Sequence, residues 1–160
     1  MSSEIKPIKR SLQLAPLSRE HHEGLLFAWK LRKGLQYEID LERISKYSFW
    51  YWQEHIKPHF YQEEKILMPF IPAGHKMAIR LRKEHDQIRE LIHNLHKAPD
   101  KHSFVVLANL LNDHIRFEER ELYGYLEQIL GKDELDVIFL KLEEHPLSSN
   151  KWKDEFWAKK

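Results

Sequence analysis

Two copies of a His-x-x-x-Glu pattern could provide nitrogen and oxygen ligands to metal ions. The first copy is His59 with Glu63, and the second is His114 with Glu118. On an α-helix, residues four positions apart lie on the same face, so both members of a pair would point in one direction. Imidazole and carboxylate together suit iron, manganese or zinc. The repeated pattern therefore predicts a metal site.

Two further histidines extend each copy into a half-site. A Leu-x-x-Glu-His pattern ends in His21 before the first copy and in His85 before the second. The alignment of the repeats selects His21, and the adjacent His22 is the alternative ligand on this helix. Two half-sites brought face to face would supply four imidazoles and two carboxylates, from His21, His59, Glu63, His85, His114 and Glu118.

These six side chains would not saturate two metal ions. Two six-coordinate ions need about twelve positions, and four imidazoles with two bridging carboxylates fill about eight of them. Because two carboxylates cannot neutralise two buried divalent or trivalent ions, we expect an anionic oxo or hydroxo bridge derived from water. About two positions would then remain for water or a small ligand.

Other polar residues lie close to the pattern. Glu64 and Glu119 follow their histidines by five positions, which places them about 140° from the ligand face of an α-helix. We expect them at the flank, where they could hydrogen-bond a ligand histidine, although a kink at Pro58 could instead turn Glu64 inward. His55 lies one turn before His59, and it is either an extra ligand, a pocket group or a partly exposed side chain.

The elements that must position these residues are predicted to be helices. The chain has only five glycines and no alternating strand-like segment of any length, which favours an all-α fold. Ser18, Asp40 and Ser103 are the expected N-caps, and Pro58 predicts a kink. Apolar residues recur at helical spacing over about 19–35, 41–68, 76–96, 103–130 and 133–143.

The helix lengths and short connections predict an up-down-up-down four-helix bundle with a short fifth helix. We expect an N-terminal arm over 1–16, the bundle over 17–145 and a C-terminal tail over 146–160. Lys6, Lys9 and Arg10 are interpreted as part of a solvated arm. The aromatic block 47–52 is expected in the core, packed under the tail. The tail residues Trp152, Phe156 and Trp157 are expected to dock onto the bundle.

Composition excludes several classes of function. The net charge is +1, so no basic excess favours nucleic acid or an anionic membrane surface. No apolar run approaches the ~20 residues of a membrane span, and the first ten residues lack the apolar stretch of a signal peptide. The chain contains no cysteine, so thiolate ligands and disulfides are excluded. We therefore expect a cytoplasmic protein.

Three motifs together point to a known family: His59-Phe60-x-x-Glu63-Glu64-x-x-Leu67-x-Pro69, Glu84-His85 and His114-x-x-x-Glu118-Glu119. They resemble the hemerythrin family, specifically bacterial hemerythrin-like HHE cation-binding proteins. The resemblance extends over about 17–130. It implies a four-helix bundle that holds two iron ions bridged by carboxylates and an oxygen. It also implies the binding or sensing of O₂, NO, peroxide or iron; zinc or manganese would leave the same ligand pattern.

The sequence departs from the oxygen-carrying members of that family. Those members have a fifth histidine one turn after the third-helix ligand, where this chain has Arg89, and their last carboxylate is an Asp one position beyond Glu118. The departures predict a more open site and argue against reversible O₂ transport. Two alternatives remain open: an enzyme that turns over peroxide or NO, with Tyr61 or Tyr123 as proton donor, and a metal-free helical interaction bundle.

Overall fold

The computed structural model describes residues 10–146 and 148–158. Within these residues every regular element is helical, and no strand occurs. Helix α1 spans Ala15–Gln36, α3 spans Lys76–Lys97 and α5 spans Lys132–Glu143. Helix α2 is a succession of helical segments over 41–70, and α4 is a second succession over 101–129. The segments of α2 are Leu41–Tyr51, Trp52–Ile56, Lys57–Gln62, Glu63–Leu67 and Met68–Phe70, and those of α4 are Lys101–Phe117, Glu118–Leu122 and Tyr123–Ile129.

The four long helices form a closed ring of packed neighbours. Helix α1 packs against α2 and α4, and α3 packs against the same two helices. Because short connections join consecutive helices, each helix runs antiparallel to the next. The predicted all-α four-helix bundle with a short fifth helix is confirmed. None of the helices in the described part of the chain combines the length and the apolar character that crossing a membrane requires.

The beginning of α1 differs from the prediction. The helix begins at Ala15 and not after Ser18, because Pro16 lies in the first turn, where its missing N–H costs nothing. Ser18 is therefore not an N-cap, and its hydroxyl donates a hydrogen bond to Glu119 Oε2 at 2.9 Å. Ser18, the predicted cap, instead joins α1 to α4 through this hydrogen bond.

The predicted N-cap of α2 is confirmed, and the predicted N-cap of α4 is wrong. Asp40 caps α2 as predicted, accepting a hydrogen bond from the backbone N–H of Glu42 at 3.0 Å. Helix α4 is capped by Asp100 and not by Ser103, whose backbone N–H donates to the Asp100 carboxylate at 2.8 Å. The prediction chose the wrong one of two good capping residues three positions apart.

Three π-helical turns interrupt the α-helices. One, Trp52–Ile56, lies directly before the segment that contains Pro58, where the sequence predicts a kink. The other two begin at the two predicted carboxylate ligands, as Glu63–Leu67 and Glu118–Leu122. A π-turn inserts extra backbone into the helix, so successive side chains turn through a smaller angle than the ~100° of an α-helix.

Two apolar clusters occupy the two ends of the bundle and leave the histidines between them. One cluster includes Phe27, Ile92 and Phe104, and the other includes Leu17 and Leu122. Most of the apolar residues that recur at helical spacing face the core, but two of them point outward. Leu25 is 40% exposed and Val106 is 39% exposed. The neighbouring Phe27 and Leu107 take their places in the core.

The predicted arm and tail both contact the bundle. Lys6 and Lys9 lie outside the described residues. The prediction that Arg10 belongs to a solvated arm is wrong. Its guanidinium pairs with Glu127 at 2.9 Å and with Glu119 at 3.3 Å. Arg10 is thus anchored on α4 by two carboxylates.

The tail docks onto α1 and the aromatic block, as predicted. Phe156 is 3% exposed and packs edge-on against Tyr47. The approach requires a glycine, since a Cβ at Gly34 would lie 2.7 Å from the Phe156 ring. Trp152 and Trp157 also contact the Tyr47 ring.

Candidate metal centre

The six predicted ligands converge at the centre of the bundle. One group contains His21 and His59, a second contains His85 and His114, and both groups share Glu63 and Glu118. Within each group, one ligand atom from every residue lies within 4.8 Å of the others. All six side chains are buried. Of the two adjacent histidines, His21 belongs to a group whereas His22 is exposed.

Each histidine is oriented from outside by a glutamate on its Nδ1 atom. The Nδ1 atoms of His85 and His114 lie 2.9 Å and 2.8 Å from carboxylate oxygens of Glu64 and Glu84. An ionised carboxylate only accepts hydrogen bonds, so Nδ1 carries the proton in each pair. A neutral imidazole then presents an unprotonated Nε2 to the centre of the bundle.

The first half-site has the same arrangement. His21 Nδ1 lies 3.2 Å from Glu119, and His59 Nδ1 is paired with Glu20. Glu64 and Glu119 thus hydrogen-bond ligand histidines, as the sequence predicts. Glu64 and Glu119 each directly follow the glutamate at which a π-turn begins. Because side chains in a π-turn are separated by a smaller angle, both glutamates lie closer to the face of the histidines than they would on an α-helix. Together with Glu20 and Glu84 they are called the outer glutamates, and Glu63 and Glu118 the inner ones.

Sequence reasoning missed the roles of Glu20 and Glu84. Each directly precedes a site histidine on its own helix, yet its carboxylate reaches the histidine of a neighbouring helix. The signal was present, because both are the Glu of the repeated Leu-x-x-Glu-His pattern. Spacing along one helix could not assign the role, because the partner comes from a different helix.

The inner surface of the site brings acceptor atoms against one another. His21 Nε2 lies 3.1 Å from His59 Nε2 and 3.0 Å from Glu118 Oε1. His85 Nε2 lies 3.1 Å from Glu63 Oε1. Lone pairs that face each other in a buried site repel unless a cation or a proton lies between them.

Two of the inner atoms receive no hydrogen bond from the described residues, although His114 Nε2 lies 2.9 Å from Glu118 Oε1. Within the described part of the chain, His114 Nε2 and Glu118 Oε2 are buried and accept no hydrogen bond. Buried polar atoms in native proteins are rarely unpaired, so each requires an explanation. Metal coordination would satisfy both atoms, and the donor set of two imidazoles with two shared carboxylates fits iron, manganese or zinc.

Electrostatics of the metal-free site place one proton on the His59–Glu63 pair. Burial lowers the pKa of His59, but attraction to Glu63 and hydrogen bonds to Glu20 and Glu63 outweigh burial and raise the pKa to about 10. Burial alone would raise the pKa of Glu63, yet its contacts with His59 and His85 hold that pKa well below the usual range. A metal ion must displace this proton to bind, which makes metal affinity pH-dependent.

Two of the buried histidines, His21 and His114, favour the neutral form. Burial is the largest influence on His21 and lowers its pKa, although the hydrogen bond with Glu119 opposes the effect. Burial likewise lowers the pKa of His114 to about 4. Neutral imidazole is the form that coordinates metal, so these two side chains are prepared for binding near neutral pH.

Tyr123 is the candidate proton donor that the fold places at the site. It is fully buried, and its hydroxyl donates to Glu63 Oε2 at 2.8 Å. The Tyr123 hydroxyl oxygen also lies 3.3 Å from His21 Nε2, and the Tyr123 and His21 rings are stacked. Tyr61, the other candidate, is 49% exposed and contacts His145, so the structure places it away from the site.

Arginines accompany three of the four outer glutamates. Arg10 pairs with Glu119, and Arg80 pairs with Glu84 at 3.0 Å. Arg89, at the position of the fifth histidine of the carriers, lies 3.5 Å from Glu64. Within the described residues no arginine or lysine forms an ion pair with Glu20. His59 therefore differs from the other three histidines, because the charge of its glutamate is not compensated by an arginine in the part of the chain that the structure describes.

Most of the chain matches a known protein family. The family model of the Hemerythrin HHE cation binding domain matches residues 14–126. The chain belongs to this family. The match includes all six inner residues and the four outer glutamates, and it ends before α5 and the tail. Searches of curated proteins and of solved structures found no match.

Proposed function

We propose that this HHE protein holds two iron ions in the two overlapping groups and binds or senses a small molecule. His21 and His59 would hold one ion, His85 and His114 would hold the other, and the shared carboxylates would bridge them. The ligand would be O₂, NO or peroxide, or the site would report iron availability. The supporting observation is a buried centre in which imidazole nitrogens and carboxylate oxygens face one another, with every imidazole oriented from outside by a carboxylate.

The ligand count supports a reactive rather than a purely structural site. Each group offers two imidazoles and two shared carboxylates, which is four protein ligands against the roughly six that iron accepts. Bound iron would supply redox chemistry and open coordination positions. In a closed structural site the protein itself would provide all the ligands.

The remaining residues of the site have roles of their own. The outer glutamates fix the tautomers of the histidines and raise their basicity as ligands. Phe60 stacks on the His85 ring at 3.6 Å and covers one face of the second group. Tyr123 holds Glu63 through a hydrogen bond and keeps a proton at its Oη atom, between Glu63 and His21.

Metal analysis of matched variants tests the proposal. After anaerobic iron loading we expect about two iron ions per chain, and near-ultraviolet absorption of the ferric form that bleaches on reduction. His21→Ala should lose iron, whereas His22→Ala should keep the parent content, because only His21 faces the site. Fewer than one iron per chain in the parent, or equal loss in both variants, would contradict the proposal. Zinc would be identified by elemental analysis without the absorption band.

A second candidate is an enzyme that turns over peroxide or NO, and the position of Tyr123 favours it. Reduction of peroxide requires protons, and the buried Tyr123 hydroxyl is a proton donor within hydrogen-bond reach of the inner ligands. Consumption of either substrate beyond two equivalents per centre would establish turnover. Tyr123→Phe should then slow turnover and leave the iron content unchanged.

The metal-free interaction bundle remains the opposing hypothesis. In that case the thermal stability of the parent would not respond to a chelator, and neither would that of a variant with His59 and His114 both replaced by Ala. Under the two-iron proposal, chelation lowers the melting temperature of the parent only, because binding to the native state alone stabilises it.

A further inference from the structure

A small cavity lies against the first half of the site. Its volume is about 60 Å³, and His21, His59, His114 and Glu118 contribute to its wall. Leu111 and Ile115 are among the apolar residues that line the rest. A cavity needs roughly 10–15 Å³ to hold one water, and an apolar cavity of about 150 Å³ accommodates benzene. The space therefore suits a molecule of a few heavy atoms and excludes a ring.

A larger surface pocket lies on the other side of one wall of this cavity. Its volume is about 550 Å³, and it is lined by residues of α1 and α2 and by the tail. Both spaces are lined by Glu23, Tyr51 and His55. The surface pocket and the space beside His21 and His59 are thus neighbours that share three side chains.

Of the two ring-bearing residues that line both spaces, Tyr51 and His55, His55 is the less firmly anchored, whereas the third shared residue, Glu23, is exposed. It is half-buried, and its ring contacts Tyr51 at 4.7 Å and Trp50 at 5.5 Å between ring centres. Within the described residues, no hydrogen bond or ion pair fixes the imidazole. It belongs to the π-helical turn Trp52–Ile56, and such turns frequently occur at functional sites. Tyr51, by contrast, is stacked on Phe27 in the core.

A second surface pocket offers a rival route but is blocked. Its volume is about 240 Å³, and it lies beside α5. Among the described residues, Glu20 alone lines both this pocket and the inner cavity. Glu20 is paired with His59, so movement along this route would break the contact that orients a ligand histidine.

We propose that His55 is the gate of the access route to the candidate metal site and that the route selects its ligand by size. Molecules of two to three heavy atoms would pass from the tail-lined pocket, by displacement of the His55 ring, into the inner cavity. The identity of the ligand rests on the proposed function, whereas the existence of the route does not. The tail forms the outer wall and lies beyond the residues that match the family.

Rates of NO association with the reduced, iron-loaded protein test the gate. Removal of the ring in His55→Ala should raise the association rate by about tenfold, within the range over which association rates vary among mutants of one site. His22→Ala is the matched control, since His22 is exposed and lines neither space. Equal rates in the parent and in His55→Ala, at equal iron content, would overturn the proposal.

A second variant acts in the opposite direction. Gly24 lines the inner cavity, and a Cβ there would lie 3.0 Å from Ile115 Cδ1, at the flexible end of that side chain. Gly24→Ala should shrink the cavity and slow NO association by about tenfold. This variant keeps the proposal testable if His55→Ala fails to fold, and an unchanged rate in Gly24→Ala would contradict the route.

Xenon exchange, measured by NMR on the metal-free protein, separates this inference from the proposed function. Xenon occupies dry apolar cavities without metal chemistry. Exchange should be about tenfold faster in His55→Ala than in the parent and in His22→Ala. If iron fails to bind but exchange responds to His55, the two-iron function is wrong and the route stands. If iron binds but exchange ignores His55, the route is wrong and the function stands.

Discussion

The most discriminating perturbation is Glu20→Gln. Glu20 pairs with His59 Nδ1, and it is the one outer glutamate for which the described residues provide no arginine. Glu84 plays the equivalent part for His114 but divides its carboxylate between His114 and Arg80. Gln can accept the same hydrogen bond without the charge, so the substitution isolates the electrostatic contribution of Glu20 to the basicity of His59.

The size of the effect follows from what each carboxylate contacts. Loss of an outer partner of a metal-ligating histidine typically weakens metal binding by about 10–100-fold, equivalent to roughly 1.4–2.8 kcal/mol. Glu20→Gln should lie near the upper end because the full charge of Glu20 acts on His59. Glu84→Gln should lie near the lower end because Arg80 already compensates part of the charge of Glu84. The two substitutions should therefore differ by about tenfold in affinity.

The assay is anaerobic competition between the protein and a chelator for Fe²⁺, repeated with redox-silent Zn²⁺. Glu20→Gln should weaken one of the two binding steps, since His59 belongs to one group only. At limiting free metal the stoichiometry should fall from about two ions to about one. Glu90→Gln, an exposed charge on α3, is the control. The reasoning fails if Glu20→Gln resembles Glu90→Gln, or if both binding steps weaken equally.

Three further outcomes are expected. In the metal-free protein, His114 should account for a loss of about 3 kcal/mol of stability as the pH falls from 6.5 to about 4, because burial lowers its native-state pKa from 6.5 to about 4 and the unfolded state is therefore protonated first. Urea melts across this range should show a loss that is smaller by about that amount in His114→Gln. Tyr123→Phe should cost about 1–3 kcal/mol by leaving a buried Glu63 oxygen without its donor, and unchanged thermal melts would contradict this role of the hydrogen bond. Gly34→Ala should undock the tail, because the added Cβ meets the Phe156 ring, and limited proteolysis should then cut the tail faster than in the parent.

The repeated patterns predicted the fold and the inner residues of the site for a physical reason. A helical period fixes which residues share a face, so His59 with Glu63 and His114 with Glu118 could be paired from spacing alone. The alignment of the two Leu-x-x-Glu-His repeats selected His21 over His22, and the structure places His21 in a group and His22 on the surface. That these residues bind metal stays a prediction.

Contacts between helices were not accessible from the sequence. Glu20 on α1 reaches His59 on the neighbouring helix α2, and the periodicity of a single helix cannot predict a contact between two helices. Arg10 looked like a solvated residue because it lies before the first apolar stripe, yet Glu119 and Glu127 anchor it on α4. The cap at Asp100 was missed because Ser103 satisfies the same local rule.

Charge balance around the centre connects the outer residues to the number of metal ions. Six carboxylates lie at or next to the four histidines, and three arginines pair with outer members of this set. With ionised carboxylates, at least three negative charges are left around the centre of the bundle, because the same arginines also pair with Glu127, Glu121 and Asp86. Such a charge is costly to bury unless cations compensate it. The proton on the His59–Glu63 pair removes only part of it. Two divalent ions would offset this charge. One divalent ion would leave the interior negative, so the outer glutamates and their arginines favour two ions over one.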